Sequence, residues 1–156
     1  MRTLTLGGVL AVVVPIANLS GQATDPAAGT WELNLEKSKF SPGPPPKSLT
    51  RTYEATRAGV KYTAKGIDAD GKPTLVQFTA KYDGKDYPVT GSPDFDAISL
   101  KRIDAFKSEA TLKKAGKVVE TITRVVSQDS ETLTLTVKGT NAKGQTVNDV
   151  LVFDKY

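Results

Sequence analysis

Apolar and polar residues alternate along most of the chain after residue 29, in short segments that end at turns. Residues 60–65 and 76–82 are two such segments, and Asp70-Gly71 and Asp83-Gly84 follow them. Alternation with a period of two places every second side chain on one face of a β-strand, and Asp-Gly supplies the positive φ angles that a tight hairpin needs. The pattern therefore predicts an antiparallel meander of strands.

The same pattern predicts nine or ten strands, all of them short. They are Thr30–Leu35, Ser48–Ala55, Val60–Ile67, Thr74–Tyr82, Tyr87–Thr90, Asp96–Ile103, Phe106–Lys113, Val118–Val126, Thr132–Thr140 and Thr146–Asp154. After residue 23 no stretch has apolar residues at helical spacing over three turns, so we expect little helix there. Because closing a sheet on itself removes its open edges, we predict an all-β fold, an antiparallel up-and-down barrel of about eight to ten strands. A two-sheet sandwich is the alternative.

Residues 1–23 differ from the rest of the chain and predict a secretory signal peptide. Arg2 gives a positive start, Leu6–Ala17 is an apolar stretch, and Gly21-Gln22-Ala23 offers small residues for cleavage. The apolar stretch is too short to remain as a membrane-spanning helix. We expect cleavage after Ala23, with residues 24–156 forming one secreted or periplasmic domain that has no membrane span.

Composition excludes several kinds of chemistry. The chain has no Cys and no His, which excludes disulfides, thiolate or imidazole metal ligands, and Cys or His catalysis. The formal net charge is only +4, and the basic residues are scattered without a block, so we expect no nucleic-acid partner. No paired carboxylates, nucleophile motif or metal-ligand spacing stands out. We therefore predict that the protein is not an enzyme, with no catalytic residue, no metal site and no cofactor.

Three arginines fall on the apolar faces of predicted strands. They are Arg51, which shares its face with Tyr53, and Arg102 and Arg124. A guanidinium group on an apolar face is costly unless an anion meets it. We therefore take Arg51, Tyr53, Arg102 and Arg124 as candidate ligand-binding residues for a hydrophobic ligand with an anionic end. The alternative is that each arginine lies at a strand end and reaches water, or forms an internal ion pair.

The face on which Arg124 lies is ambiguous. Alternation places it with Val118 and Val126, but Glu120 falls on the same side and Val119 on the opposite one.

Two parts of the sequence resemble known proteins. Gly29-Thr30-Trp31, a Gly-x-Trp at the start of a strand with Trp31, Leu33 and Leu35 on one face, resembles the calycin group of lipocalins and fatty-acid-binding proteins, as does the ending Val152-Phe153. Residues 31–44, 81–91 and 99–104 resemble a group of small exported bacterial proteins of no established function. The resemblance implies a lipocalin-like barrel in an exported bacterial protein, and it implies no activity.

The sequence departs from the fatty-acid-binding proteins in two places. Those proteins have a helical lid between their first two strands, whereas residues 41–46 are rich in proline here and predict a stiff extended connector. Their last strand carries an Arg-x-Tyr pair that holds a fatty carboxylate, and the matching positions here are Leu151 and Phe153. That carboxylate site is therefore not expected in this chain.

Two functions stay open at this point. One is a binding protein that holds a small hydrophobic or anionic amphiphilic ligand inside the barrel. The alternative is an inhibitor-like protein-interaction module with a packed interior, whose loops at residues 41–47 and 87–95 bind a protein partner. The first requires an interior pocket of roughly 300 Å³ or more with an open mouth. The second tolerates a solid core.

Overall fold

The computed structural model describes residues 25–156, so the predicted leader, residues 1–23, lies outside the described residues. The described part contains ten β-strands and no α-helix. In chain order the strands are β1 (Gly29–Leu33), β2 (Ser48–Thr56), β3 (Gly59–Ile67), β4 (Pro73–Ala80), β5 (Asp86–Thr90), β6 (Ala97–Arg102), β7 (Lys107–Lys114), β8 (Lys117–Val126), β9 (Thr132–Thr140) and β10 (Thr146–Lys155). They coincide with the predicted strands apart from a residue or two at the ends.

The strands form a closed barrel. Each strand pairs antiparallel with its neighbours in the chain, and β1 also pairs with β10, which leaves no free edge. At this seam Trp31 of β1 is paired with Lys155 on one side and with Arg51 of β2 on the other. The predicted antiparallel up-and-down barrel is confirmed, and the sandwich is not the architecture.

Alternation along the strands turns one face of the sheet toward the barrel interior. The largest fully buried side chains are Trp31, Leu112, Leu133, Leu135 and Phe153. The indole Nε1 of Trp31 donates a hydrogen bond to the carbonyl oxygen of Ala27 over 2.8 Å, so its polar atom is satisfied although the side chain is fully buried. Aromatic burial of this size contributes strongly to stability.

The hairpin turns follow the chemistry that the sequence indicates. Gly71 and Gly84 adopt φ angles of 87° and 73°, a region that costs other residues a steric clash. In the first of these turns one carboxylate oxygen of Asp68 accepts hydrogen bonds from the backbone N–H groups of Asp70 and Lys72. Such turns keep adjacent strands in register. They also explain why strands that are consecutive in the chain lie next to each other in the barrel.

Leu35, expected to face inward with Trp31, is exposed instead. The strand β1 ends at Leu33, and Leu35 lies in the following turn, where its side chain is 42% exposed. The alternation of β1 therefore stops before it reaches Leu35.

The alternation of β8 is interrupted by a β-bulge, which resolves the ambiguous face of Arg124. Leu112 of β7 pairs with Glu120, whereas the next residue of β7 pairs with Val118, so Val119 has no partner. An extra residue of this kind reverses the alternation on one side of the bulge. Val118, expected to lie inward with Arg124, is accordingly 58% exposed, and Glu120 lies on the inner side.

The barrel has two different ends. At the end we call the mouth lie the connector from β1 to β2 and the turns at residues 91–96, 115–116 and 141–145. At the end we call the closed end, residues 25–28 run beneath Trp31, and the turns at residues 81–85 and 103–106 lie beside them. No helix within residues 25–156 has the length and apolar character needed to cross a membrane.

Candidate ligand-binding site

A cavity of about 490 Å³ lies inside the barrel and reaches the mouth. Most of its wall is apolar and comes from the inward faces of the strands, with Val60, Val76, Phe78, Ile98, Leu100, Leu112, Ile122, Leu135, Val137, Val147 and Leu151. This volume is in the range typical of small-molecule sites. The interior is therefore not packed solid. The alternative function, a protein-interaction module, was expected to have a packed interior.

Two carboxylates hold the loops around the mouth. Asp149 accepts a hydrogen bond of 2.7 Å from the backbone N–H of Ser41, at the start of the proline-rich connector. Asp94 accepts one of 2.9 Å from the backbone N–H of Ala142, which ties the loop before β6 to the turn before β10. The connector carries no helix, and Pro42, Pro44 and Pro46 line the cavity entrance. The mouth is thus framed by short, tethered loops instead of a helical lid.

Arg51 of β2 lies in the cavity wall without a carboxylate partner among the described residues. Its guanidinium carbon is 5.4 Å from the ring centroid of Tyr62 and 5.0 Å from that of Phe153. Within residues 25–156 it forms no salt bridge, and its Nε is enclosed by protein without a hydrogen-bond partner. The ionisable groups that act on it are Tyr62, Tyr53 and Arg124, and no carboxylate is among them. The remaining N–H groups of Arg51 can therefore meet an anion in the cavity.

Aromatic rings connect Arg51 with Arg124. The rings of Tyr53 and Tyr62 are 5.2 Å apart between centroids, and Tyr62 stacks on Phe78 at 4.6 Å. The guanidinium carbon of Arg124 lies 4.9 Å from the centroid of Tyr53. Burial raises the pKa of the Tyr62 hydroxyl, so this group stays a neutral hydrogen-bonding group. Both cationic groups thus border one aromatic patch of the wall, where cation–π contact compensates part of their desolvation.

Arg124 of β8 is buried, with 7% of its surface exposed, and part of its positive charge is compensated by groups at the closed end of the barrel. Its Nη2 donates a hydrogen bond of 3.1 Å to the hydroxyl of Tyr82 and lies 3.8 Å from a carboxylate oxygen of Asp25. Its Nε, like that of Arg51, has no partner within the described residues. Arg124 therefore differs from Arg51, because part of its charge is compensated by the protein itself.

Asp25 is the anion of the closed end. It accepts hydrogen bonds from the backbone N–H of Ala27 over 2.9 Å and from Arg102 over 2.9 Å. Burial alone would raise the pKa of this carboxyl group, but the Ala27 N–H, Arg102 and Arg124 outweigh it and hold the pKa below its ordinary value. Asp25 is therefore ionised at neutral pH and anchors residues 25–28 beneath the barrel.

Arg102 lies outside the cavity wall, although it was grouped with the candidate ligand-binding residues. It is the last residue of β6, and its guanidinium carbon lies 4.1 Å from the centroid of Tyr82 while its Nη2 is bonded to Asp25. Because the strand ends there, the side chain reaches the outer surface, where 35% of it is exposed. The structure brings Arg51, Tyr53 and Arg124 together in the wall and does not bring Arg102 with them. That the first three bind a ligand stays a prediction.

Glu120 is an acidic group in the same wall, nearer to the mouth. Only 9% of its surface is exposed, and no ion pair within residues 25–156 involves it. Burial, and then the negative charges of Asp94 and Asp149, raise its pKa to about 7. The cavity therefore combines basic groups in its wall with carboxyl groups close to its entrance, of which Glu120 is weakly acidic.

Sequence reasoning missed Asp25, Tyr82 and Glu120 as parts of this arrangement. Asp25 precedes the first strand and carries no pattern that would link it with Arg102 or Arg124, which are far away in the chain. Tyr82 follows β4 and was assigned to that strand. Glu120 did share a predicted face with Arg124, and this was the one available signal.

The interior differs from the fatty-acid-binding proteins where the sequence indicated that it would. Leu151 and Phe153 of β10 are both buried inside the barrel, at the positions that match the Arg-x-Tyr pair of those proteins. An Arg-x-Tyr pair is present instead on β2, as Arg51 and Tyr53. Within residues 25–156 no three acidic side chains converge as a metal site would require.

Comparison with known proteins supports the fold. No protein-family model matches the chain, and no curated protein matches it. A crystal structure of the zebrafish ileal bile acid-binding protein in complex with cholic acid is similar, with a TM-score of 0.51 and 16% sequence identity. The match covers 84% of this chain and 99% of the zebrafish chain. The likeness supports the antiparallel barrel fold of this chain.

Proposed function

We propose that this protein is a non-enzymatic binding protein that holds a small amphiphilic anion inside its barrel, with the anionic group at Arg51. The observation that carries the proposal is a charged guanidinium group in the wall of an apolar cavity, without a carboxylate partner in residues 25–156. Burying an unpaired charge costs free energy, and a charge-assisted hydrogen bond to an anion recovers it.

The apolar wall and the tethered mouth support the same proposal. A cavity of about 490 Å³ with one cationic group suits a ligand whose surface is mostly hydrocarbon and whose charge sits at one end. The zebrafish protein of similar fold binds cholic acid, itself an amphiphilic acid, which is consistent with this class of ligand. Residues 1–23 lead us to propose in addition that binding takes place outside the cytoplasm.

The test compares an anionic and a neutral ligand of the same chain length. Dodecanoate and dodecan-1-ol are titrated against the wild-type protein and the Arg51→Met variant by calorimetry. A hydrogen bond to a charged group contributes about 1.5–3 kcal/mol, so Arg51→Met should weaken dodecanoate binding by about tenfold or more. Binding of dodecan-1-ol should change by less than about twofold, because the alkyl chain contacts the same apolar wall.

The matched control is Arg57→Met, which removes a cation from the exposed turn between β2 and β3. It should leave the affinity for dodecanoate unchanged. Equal losses of dodecanoate affinity in the Arg51 and Arg57 variants would show that only overall charge matters. Failure of the wild-type protein to bind either compound would overturn the proposed function.

A further inference from the structure

Among residues 25–156, three carboxyl groups line the cavity, and Glu120 is the one of them that holds no loop. Asp94 and Asp149 each accept a backbone hydrogen bond that holds a loop. Glu120 lines the cavity and is nine-tenths buried, yet no side-chain hydrogen bond or ion pair connects it with another described residue. Its carboxylate oxygens are not enclosed by protein, so they face the open space of the cavity, where a donor group of a ligand can meet them.

The backbone fixes the direction of Glu120. The bulge at Val119 turns it toward the interior, and Gly139 of β9 lies directly opposite it in the pairing of the two strands. A Cβ atom at Gly139 would overlap the carbonyl oxygen of Val119 and come within 2.6 Å of the Cα and 2.9 Å of the Cγ of Glu120, so the backbones and this side chain approach as closely as only glycine permits.

The distance from Glu120 to Arg124 follows from the strand geometry. Glu120 and Arg124 lie on the same inner face of β8, four residues apart, which corresponds to roughly 13 Å along the strand. Ile122 lies between them and contributes an apolar part of the wall. The cavity therefore has polar groups of opposite character at two depths, separated by a length of hydrocarbon wall.

We propose that Glu120 is a second polar subsite of the cavity, which binds a hydrogen-bond donor of the ligand, a hydroxyl or an ammonium group, at a point about 13 Å along β8 from Arg124. This inference rests on the proposed function, and it narrows the ligand to amphiphiles that are polar at both ends. A carboxyl group accepts hydrogen bonds, and within residues 25–156 no three acidic side chains lie close enough together to hold a metal ion.

Both states of Glu120 suit such a ligand. With a pKa of about 7, the group is present at neutral pH as acid and as carboxylate. The charged groups that face it are Asp94 and Asp149, both acidic, with Arg124 further along its own strand. Above neutral pH this surrounding favours an ammonium group over a hydroxyl group.

The experiment uses three ligands with the same chain, dodecanoate, ω-hydroxydodecanoate and ω-aminododecanoate, titrated calorimetrically at about pH 8. They are compared in the wild-type protein and in the Glu120→Leu and Glu120→Gln variants. Loss of one hydrogen bond to a charged group corresponds to about tenfold in affinity, so Glu120→Leu should lower the preference for both ω-substituted ligands over dodecanoate about tenfold. Glu120→Gln should keep the preference for the hydroxyl group and lose the preference for the ammonium group.

The outcomes separate this inference from the proposed function. If the wild-type protein binds all three ligands and their ratios are the same in Glu120→Leu, the second subsite does not exist while the proposed function stands. If the wild-type protein binds none of them, both fail. A loss of the ω-group preference in Glu109→Leu as well, which removes an exposed carboxylate on β7, would also overturn the inference.

Discussion

The closed end of the barrel and the wall of its cavity differ in whether their polar groups have partners within the protein. At the closed end Asp25 bonds to Arg102, and the indole of Trp31 bonds to the carbonyl group of Ala27, so polar atoms are satisfied within the protein. In the cavity wall Arg51 and Glu120 have no such partner among residues 25–156. One end is arranged for stability, and the wall keeps charged groups available.

This difference predicts how substitutions divide between the two regions. Truncation at the closed end removes satisfied contacts and should destabilise the protein. Removal of an unpaired charge from the cavity wall should cost little stability or raise it, while binding is lost. A wall residue whose removal stabilises the protein and weakens binding would support the proposed role of that residue in holding a ligand.

The largest expected effect is that of Trp31→Ala at the closed end. Trp31 is fully buried, and its replacement leaves a large void beneath the barrel and an unpaired carbonyl oxygen at Ala27. Truncations of this size cost about 3–5 kcal/mol of the free energy of unfolding. Denaturant unfolding measures it, and Val118→Ala, at an exposed position near the mouth, should change the same quantity by less than about 0.5 kcal/mol. Equal losses in both variants would contradict the proposed difference between the two ends.

A smaller effect is expected for Asp25→Asn. The amide oxygen can still accept the Ala27 N–H, but Arg124 loses the carboxylate that lies 3.8 Å away. Removing one partner of a fully buried pair costs about 3–5 kcal/mol, and because Arg102 is partly exposed we expect about 2 kcal/mol here.

The pH dependence of this effect has a definite sign. The folded-state pKa of Asp25 lies below its ordinary value of 3.8, so its contribution is present above that value and is lost as the pH falls through the folded-state pKa. The difference in unfolding free energy between wild type and Asp25→Asn should therefore shrink below about pH 4. Glu54→Gln, at an exposed position of β2, is the control and should show no comparable difference at neutral pH. A difference for Asp25→Asn that stays constant down to low pH would contradict the ion-pair account.

The barrel could be predicted from the sequence because its determinants are local. Alternation and Asp-Gly turns such as Asp70-Gly71 act between residues close in the chain, and they gave strand boundaries correct to a residue or two. The inward direction of Arg51 followed from the same alternation. Val118 departs from the predicted alternation because β8 contains a bulge. The bulge depends on how β7 and β9 pair with β8, and the sequence of β8 alone does not specify that pairing.

The site was less predictable because its contacts join distant parts of the chain. Asp25 meets Arg102 and Arg124 only after the barrel has closed, and nothing near it in the sequence announces that contact. Arg102 shares the inner face of its strand but is the last residue of β6, and whether a long side chain turns in or out at a strand end is decided by tertiary packing. The volume of the cavity likewise depends on how the inward side chains of all ten strands meet.

The smallest expected effect is a gain in stability for Glu120→Gln at neutral to alkaline pH. The folded-state pKa of about 7 exceeds the ordinary value of 4.5, so the folded protein keeps a proton that the unfolded chain releases. Wild-type stability should therefore fall as the pH rises from about 4.5 to about 7, and this decline should be weaker in the glutamine variant. The full shift would correspond to about 3 kcal/mol, but water entering through the mouth and the unpaired amide reduce the expected gain to about 1 kcal/mol.

Unfolding free energies of wild type and Glu120→Gln across this pH range decide the point. Glu109→Gln, on an exposed position of β7, should follow the wild-type pH profile, because that carboxylate is solvated in both states. Parallel profiles for wild type and Glu120→Gln would mean that the Glu120 carboxyl group is well hydrated in the folded protein, and it would then carry no cost for a ligand to relieve. A separation of the two profiles above about pH 5, closed again by a bound ω-amino ligand, would connect the cost of the buried acid directly with its use in binding.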